Sequence, residues 1–336
     1  MLGAILVFGS QSPTVNGSAE NGEPLISAAS RVPLTCIEVL GRSVVERIAE
    51  NFQQSGVDAI CIFSDRTLAH AQLDMARATT ELPVDWLSDA WGSVTGKLKS
   101  YRDQGIKTAF VMCMDAYAEF EPLDALQFHR DQNQVVTRLR DEEGPLNIWI
   151  VDLTQLTEDS DYFGSTSPSQ SYYTVDGYVN RLQSAKDLRR LVADSLTANC
   201  QLRPVGTEIR PGVWLGEGAQ VHRGAQINAP AFIGRNSKVG DGCLVTRCSN
   251  IESDCEIDFG TVVEDSSVLS NSYIGIGLDI SHSIVNGKNL LNLKRNQALE
   301  IADAAVIREN IAPHQEMHRS SPVSFGLEGM LFEPAE

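Results

Sequence analysis

An aspartate stands just past one of the most apolar segments of the chain. Residues 108–113 read as a buried strand, and Asp115 follows them after a single residue. In open α/β sheets, ligands bind at the carboxyl ends of the strands. A carboxylate at such an edge can hold a divalent cation beside phosphate groups. The alternative is a loop residue that caps the turn before Phe120.

A second candidate site follows the first apolar segment. Residues 3–8 read as a buried strand, and Gly9, Ser10, Gln11 and Ser12 come directly after it. A glycine-containing loop at a strand end lets backbone N–H groups approach a phosphate closely. The alternative is a simple turn that binds nothing.

Strands and helices that would position these groups alternate through the first half of the chain. Apolar strands are predicted at residues 57–63, 108–113 and 147–152, and Ser43 with Glu46 forms a capping box for one of the intervening helices. Because the strands are continuously hydrophobic, they predict an α/β domain with a mostly parallel sheet covered on both faces.

A six-residue period organises the second half. Every sixth position from 209 to 269 holds a branched aliphatic residue: Ile209, Leu215, Val221, Ile227, Ile233, Val239, Val245, Ile251, Ile257, Val263 and Leu269. This period fits neither a helix nor an alternating strand, and it is typical of a parallel β-helix in which each aliphatic residue lies over the one 18 residues earlier. The spacing changes after Leu269, so the regular coils are expected to end near residue 284.

We therefore predict three parts: an α/β domain at 1–200, a β-helix at 201–290, and a C-terminal helix and tail at 291–336. A helix with Leu188 and Leu191 on its buried face is expected to bridge the first two parts. A further helix within 290–307 is expected to cover the open end of the coils.

Composition excludes several classes of function. The net charge of −17 disfavours binding to nucleic acid or to anionic membranes. No apolar run reaches the length of a membrane span, and we expect a cytoplasmic protein. Seven scattered cysteines without CxxC spacing indicate neither zinc nor a disulfide framework. The flat faces of a β-helix, with Trp214 on an outer position, predict a homo-oligomer.

Several segments together resemble the sugar-1-phosphate nucleotidyltransferases, also called nucleotide-sugar pyrophosphorylases. Residues 253–265 are similar to the β-helix of bifunctional N-acetylglucosamine-1-phosphate uridylyltransferases, and residues 177–183 are similar to the Gly-Val-Asn-x-Arg-Leu-Gln segment of those enzymes. Asp115-Ala116-Tyr117 resembles the Gly-Asp step of the family. The resemblance implies a Rossmann-like nucleotidyltransferase domain followed by a left-handed parallel β-helix.

Members of this family transfer a nucleotidyl group from a nucleoside triphosphate to a sugar 1-phosphate, using Mg²⁺, in the synthesis of polysaccharide or cell-envelope precursors. The resemblance implies that Asp115 is the catalytic metal ligand, with Asn180 as a second ligand or Val179 in its place. It also implies that the nucleotide is bound by the loop after the first strand, namely Gly9, Ser10, Gln11 and Ser12. This loop lacks the arginine of the family, and Arg31 or Arg42 would supply the missing charge.

Other positions depart from the family pattern. Phe8, Val32 and Met114 stand where the family has glycine, lysine and glycine. These changes predict weak or absent turnover with ordinary triphosphates. An alternative function is therefore that of an inactive relative that binds a nucleotide sugar, or a partner subunit such as an active paralogue. A more distant alternative is a hexapeptide acyltransferase with His222 as its base, although a solvated turn histidine is the simpler interpretation.

Overall fold

The computed structural model describes residues 1–8, 33–65, 84–87, 90–157, 163 and 170–310. The predicted phosphate loop and its arginine, Gly9, Ser10, Gln11, Ser12 and Arg31, lie outside these ranges. Val32, the C-terminal tail and residues 68–78, whose sequence favours a short helix, lie outside them as well.

The main sheet of the N-terminal part has the spatial order β10-β8-β9-β6-β1-β4-β5. Its strands are β1 Leu2–Phe8, β4 Ala59–Asp65, β5 Val84–Leu87, β6 Thr108–Cys113, β8 Val136–Arg140, β9 Pro145–Asp152 and β10 Gln170–Thr174. The β9 strand runs antiparallel to both of its neighbours, and the other pairs are parallel. The predicted mostly parallel sheet is confirmed, with one reversed strand that the pattern did not indicate.

The sheet is covered on both faces, as its apolar strands require. Ile5, Val111 and Trp149 belong to the core on one face, and the alternate residues, such as Leu6 and Phe110, belong to the core on the other. The helices are α1 Val44–Gln54, α2 Val94–Asp103, α3 Pro122–Gln132 and α4 Ala185–Leu196, with 3-10 turns at Leu34–Cys36 and Leu153–Gln155.

The predicted capping box at Ser43 is present, and a second one begins α4. Ser43 accepts a hydrogen bond from the Glu46 backbone at the start of α1, and Ser184 does the same with Asp187 at the start of α4. Two short strand pairs complete this part: β2 with β3, and β7 with β11. Their bounds are β2 Glu38–Val39, β3 Arg42–Ser43, β7 Tyr117–Ala118 and β11 Val179–Asn180.

Short strands in three ladders form the coil, by which we mean residues 207–310. They are β12 Thr207–Arg210, β13 Val213–Leu215, β14 Gln220–Val221, β15 Gln226–Ile227, β16 Ala231–Ile233, β17 Lys238–Val239, β18 Leu244–Thr246, β19 Ser249–Ile251, β20 Glu256–Ile257, β21 Val262–Glu264, β22 Ser267–Val268, β23 Ser272–Ile274, β24 Asp279–Ser281 and β25 Ser283–Asn286.

Aliphatic residues 18 positions apart stack as expected. Ile227 pairs with Val245, and Val245 pairs with Val263, along parallel strands. All three residues are buried in one core cluster inside the coil. The stacking is therefore confirmed, while the left hand of the coil stays a prediction.

The two ends of the six-residue series depart from the expected positions. Ile209 is 55% exposed, because its strand turns back antiparallel to β13. At the other end, a turn one residue shorter lets Val268 rather than Leu269 lie over Ile251. Leu269 points instead into the core shared with the α/β part.

The predicted helix within 290–307 is wrong. This segment forms β26 Asn289–Asn292 and β27 Gln297–Glu300, and β28 Ile307–Glu309 follows. The first two extend the coil sheet as antiparallel strands beyond β25, and β28 pairs antiparallel with β23. Pairing with the open edge of the coil provides hydrogen bonds for backbone N–H and C=O groups there. This tertiary pairing favours strands over the helix that the sequence predicted.

One face of the coil is covered by the α/β part. Phe232 is fully buried and shares a core cluster with residues of α4 such as Leu188 and Leu191, which confirms the bridging role of that helix. Trp214 is partly buried because it packs against the same cluster, and the predicted homo-oligomer stays a prediction. Among the described residues, no helix is long and apolar enough to cross a membrane.

Candidate functional site

Asp115 lies beyond the carboxyl end of β6, beside the end of β1. Val7 and Cys113 are register partners, and the Met114 backbone N–H donates to the Val7 carbonyl at 2.9 Å. On the other side, the Thr35 hydroxyl donates to the Met114 carbonyl at 3.0 Å. Asp115 therefore stands at the sheet edge from which the predicted phosphate loop leaves β1.

An asparagine from β9 holds the aspartate. The Asn147 amide nitrogen donates to Oδ2 of Asp115 at 2.6 Å. Because β9 runs antiparallel to β6, its first residues lie at the same edge as the last residues of β6. The reversed strand thus brings a polar side chain to a position that a parallel strand would have placed at the opposite edge.

Two arginines contribute positive potential to this edge. Arg138 and Arg181 each lower the pKa of the Asp115 carboxyl group through their charge, as does the hydrogen bond from Asn147. The larger effect is desolvation: Asp115 is exposed, but surrounding protein atoms disfavour its charged form, so its pKa is raised overall.

Arg181 is anchored to the turn between β8 and β9. Its guanidinium pairs with Asp141 and with Glu143, the latter at 3.2 Å, and donates to the Gly144 carbonyl at 3.2 Å. The segment before α4 is thereby tied to the same edge of the sheet as Asp115. Arg42 forms an ion pair with Glu50.

Asn180 has a structural role in this protein. It is fully buried, and its amide donates to the Asp187 carbonyl at 2.9 Å and to the Tyr178 hydroxyl at 3.3 Å. Its Oδ1 atom accepts from the Leu182 backbone N–H at 3.0 Å. These contacts order the chain before α4 and argue against the predicted role as a metal ligand. Val179, the alternative, offers only an apolar side chain.

Two of the residues that depart from the family pattern face away from the edge. Phe8 is 2% exposed and Met114 is 6% exposed, and both side chains belong to the hydrophobic core on one face of the sheet. Their bulk therefore lies inside the protein and does not cover Asp115.

Asp115 is a single carboxylate, so it suits a metal ion whose other ligands are water and substrate phosphates. No group of three or more histidine, cysteine, aspartate or glutamate side chains able to hold a metal occurs within the described ranges. Mg²⁺ is commonly held by one or two carboxylates, with water and substrate phosphates completing its octahedron. An exposed Asp115 fits that arrangement.

His222, the candidate base of the distant acyltransferase alternative, lies on an exposed turn of the coil. Its Nδ1 atom is 3.0 Å from Asp241 and accepts from the Gly224 backbone N–H at 3.2 Å. The side chain is 57% exposed. This geometry agrees with the interpretation of a solvated turn residue.

No family model matches this chain. A UTP–glucose-1-phosphate uridylyltransferase of Synechocystis sp. is 20% identical over 338 residues, covering 82% of this chain and 87% of the relative. That distant similarity supports a relationship to the nucleotidyltransferases. Structures of HddC from Yersinia pseudotuberculosis, with and without GMP-PN, align with TM-scores of 0.40 at 10% and 12% identity; each alignment covers 56% of this chain and 97% of HddC.

Proposed function

We propose that this chain transfers a nucleotidyl group from a nucleoside triphosphate to a sugar 1-phosphate, releasing pyrophosphate. The observation that carries the proposal is the exposed Asp115 carboxylate, held by Asn147 at the sheet edge where β1 ends. The similarity to a UTP–glucose-1-phosphate uridylyltransferase over most of both chains supports this class of reaction.

The reaction joins an oxygen of the sugar phosphate to the α-phosphorus of the triphosphate. The bond between that phosphorus and the β-phosphate oxygen breaks, and pyrophosphate leaves. Bound Mg²⁺ would supply positive charge to the phosphates, and Asp115 is the residue that would hold it. Gly9, Ser10, Gln11, Ser12 and Arg31 would bind the nucleotide, and the charges of Arg138 and Arg181 add to the positive potential at this edge.

A second candidate function is nucleotide-sugar binding without turnover, as a regulator or scaffold for an active paralogue. Val32 stands where the family has a lysine that would offset phosphate charge, and this loss favours the second candidate. Both candidates place the ligand at the same edge, so one set of measurements separates them.

The test is pyrophosphate release with each of the four nucleoside triphosphates, a panel of sugar 1-phosphates and Mg²⁺. Asp115→Asn retains an oxygen that accepts from Asn147 but removes the charge, and we expect turnover to fall by at least about a hundredfold. The melting temperature should stay close to that of the wild type, because the side chain is exposed.

Asp103→Asn is the matched control. Asp103 is an exposed aspartate at the end of α2, on the path into the amino end of β6, and should leave turnover unchanged. Wild-type turnover that survives Asp115→Asn would contradict the assignment of Asp115. If no pair of substrates yields pyrophosphate, but a nucleotide sugar raises the melting temperature, the binding function replaces the catalytic one.

A further inference from the structure

The Asn147 side chain lies between a cation and an anion. Its Oδ1 atom accepts from Nη2 of Arg138 at 2.9 Å, and its Nδ2 atom donates to Oδ2 of Asp115 at 2.6 Å. The three side chains come from β8, from β9 and from the segment after β6. One amide thus connects an arginine on one strand to a carboxylate two strands away.

Arg138 is held firmly in this arrangement. The residue is 3% exposed, its Nε atom donates to the Leu146 carbonyl at 2.7 Å, and its guanidinium lies 5.1 Å from the centre of the Trp149 ring. Within the described part of the chain, no carboxylate lies at ion-pair distance from Arg138. Its hydrogen-bonded connection to Asp115 runs through the Asn147 amide, and burying such a guanidinium is costly unless its donors are satisfied.

The guanidinium determines which way the Asn147 amide points. Arginine donates hydrogen bonds and cannot accept them, so the oxygen of the amide must face Arg138. The NH₂ group must then face Asp115, where the carboxylate accepts. The reversed amide would place two donors together at Arg138 and two acceptors together at Asp115, so only one orientation is compatible with both neighbours.

We propose that Arg138 is a positioning residue that acts through Asn147 to fix the Asp115 carboxylate, so that one oxygen is engaged and the exposed remainder is directed to an incoming divalent cation with its phosphates. This inference rests on the proposed function, because it assigns Asp115 as the cation ligand. Contacts beyond the direct ligands commonly set both the orientation and the affinity of a metal site.

The test is a double-mutant cycle read out by Mn²⁺ binding, counted by electron paramagnetic resonance in the presence of a nucleoside triphosphate. We expect Arg138→Lys and Asn147→Ala each to weaken Mn²⁺ binding by about tenfold. In the double variant the loss should stay about tenfold, because Arg138→Lys keeps the positive charge and removes only the hydrogen bond to Asn147, which Asn147→Ala has already removed. Arg140→Lys, an exposed arginine on the same strand, should have no effect.

Losses that multiply to about a hundredfold in the double variant would overturn the proposal, because Arg138 would then act without Asn147. Thermal unfolding confirms that each variant is folded, and Arg138→Gln replaces Arg138→Lys in the cycle if the latter is not. A purely structural role would lower the melting temperature without this pattern of non-additive binding.

A second measurement separates this inference from the proposed function. The side-chain amide resonances of Asn147, assigned by their absence in Asn147→Ala, should move in Asp115→Asn and in Arg138→Lys but not in Arg140→Lys. Unmoved resonances in Arg138→Lys would refute the positioning role, even if the protein is an active enzyme. Shifts as expected, with Mn²⁺ binding that is unaffected by Asp115→Asn, would keep the positioning role and refute the metal site.

Discussion

Ile227→Asp is expected to reduce the free energy of unfolding by about 5 kcal/mol, enough to unfold the coil. Ile227 is 5% exposed and lies in register with Val245, which in turn lies in register with Val263. The substitution removes apolar contacts at one level of this column and buries a carboxylate with no partner. Because each turn of the coil packs only on its neighbours, the damage should spread to adjacent turns.

Gln226→Asp is the control for this prediction. Gln226 is the neighbouring residue on the same short strand, and its side chain is exposed. It introduces the same charge on the outer surface and should change the unfolding free energy by less than about 0.5 kcal/mol. Chemical denaturation followed by circular dichroism compares the two variants. Equal stability of both would show that Ile227 does not face the interior of the coil.

The stacking of the coil was predictable because its period is local and redundant. All eleven aliphatic positions recur at the same spacing in the sequence, and one register fixes the nine from Leu215 to Val263. The exceptions, Ile209 and Leu269, lie where the chain reverses or loses one residue in a turn. The sequence pattern does not reveal the shorter turn, because the aliphatic residues at 268 and 269 are equally suited to the core.

The candidate site was only partly predictable. The apolar strand at 108–113 correctly predicted that Asp115 lies at a sheet edge. The hydrogen-bond partner of Asp115, by contrast, comes from a segment that is distant in the sequence. Asn147 reaches the edge only because β9 runs antiparallel, which continuous hydrophobicity does not indicate. Arg138, a charged residue between the apolar Val136 and Leu139, was an available signal. Asn180 matched a family motif, yet its amide is used to order the chain before α4.

Sequence patterns also did not predict the buried polar contacts between the α/β part and the coil. Glu252 is fully buried on the face of the coil that meets the α/β part, and its carboxylate accepts from the backbone N–H groups of Leu40 at 2.8 Å and Gly41 at 2.9 Å. Asn250 donates to the same carboxylate at 2.6 Å. Glu38 of β2 also accepts hydrogen bonds from Ser253 and Ser270 of the coil, so two acidic side chains dock the hairpin of β2 and β3 on it.

Stability at this junction is expected to fall as the pH rises. Burial, with the nearby charge of Glu38, raises the pKa of Glu252 from its ordinary value of 4.5 to about 7. A carboxyl group whose pKa is higher in the folded state binds its proton more tightly there than in the unfolded chain. Its stabilising contribution is therefore complete below pH 4.5 and is lost as the pH rises through about 7. The loss corresponds to about 3 kcal/mol of unfolding free energy.

Glu252→Gln isolates this contribution from the many other carboxylates of an acidic protein. The glutamine cannot ionise, so the difference in unfolding free energy between wild type and variant should change by about 3 kcal/mol between pH 5 and pH 8, in favour of the variant at high pH. The side-chain NH₂ of the new glutamine faces a backbone N–H donor, which lowers the unfolding free energy of the variant. This loss is the same at every pH, so it does not alter the pH dependence of the difference. Glu256→Gln, on the next strand and half-exposed, is the matched control for the removal of one carboxylate from the coil. Denaturant titrations across this range measure all three proteins, and a flat difference for Glu252→Gln would mean that Glu252 ionises as readily in the folded protein as in the unfolded chain.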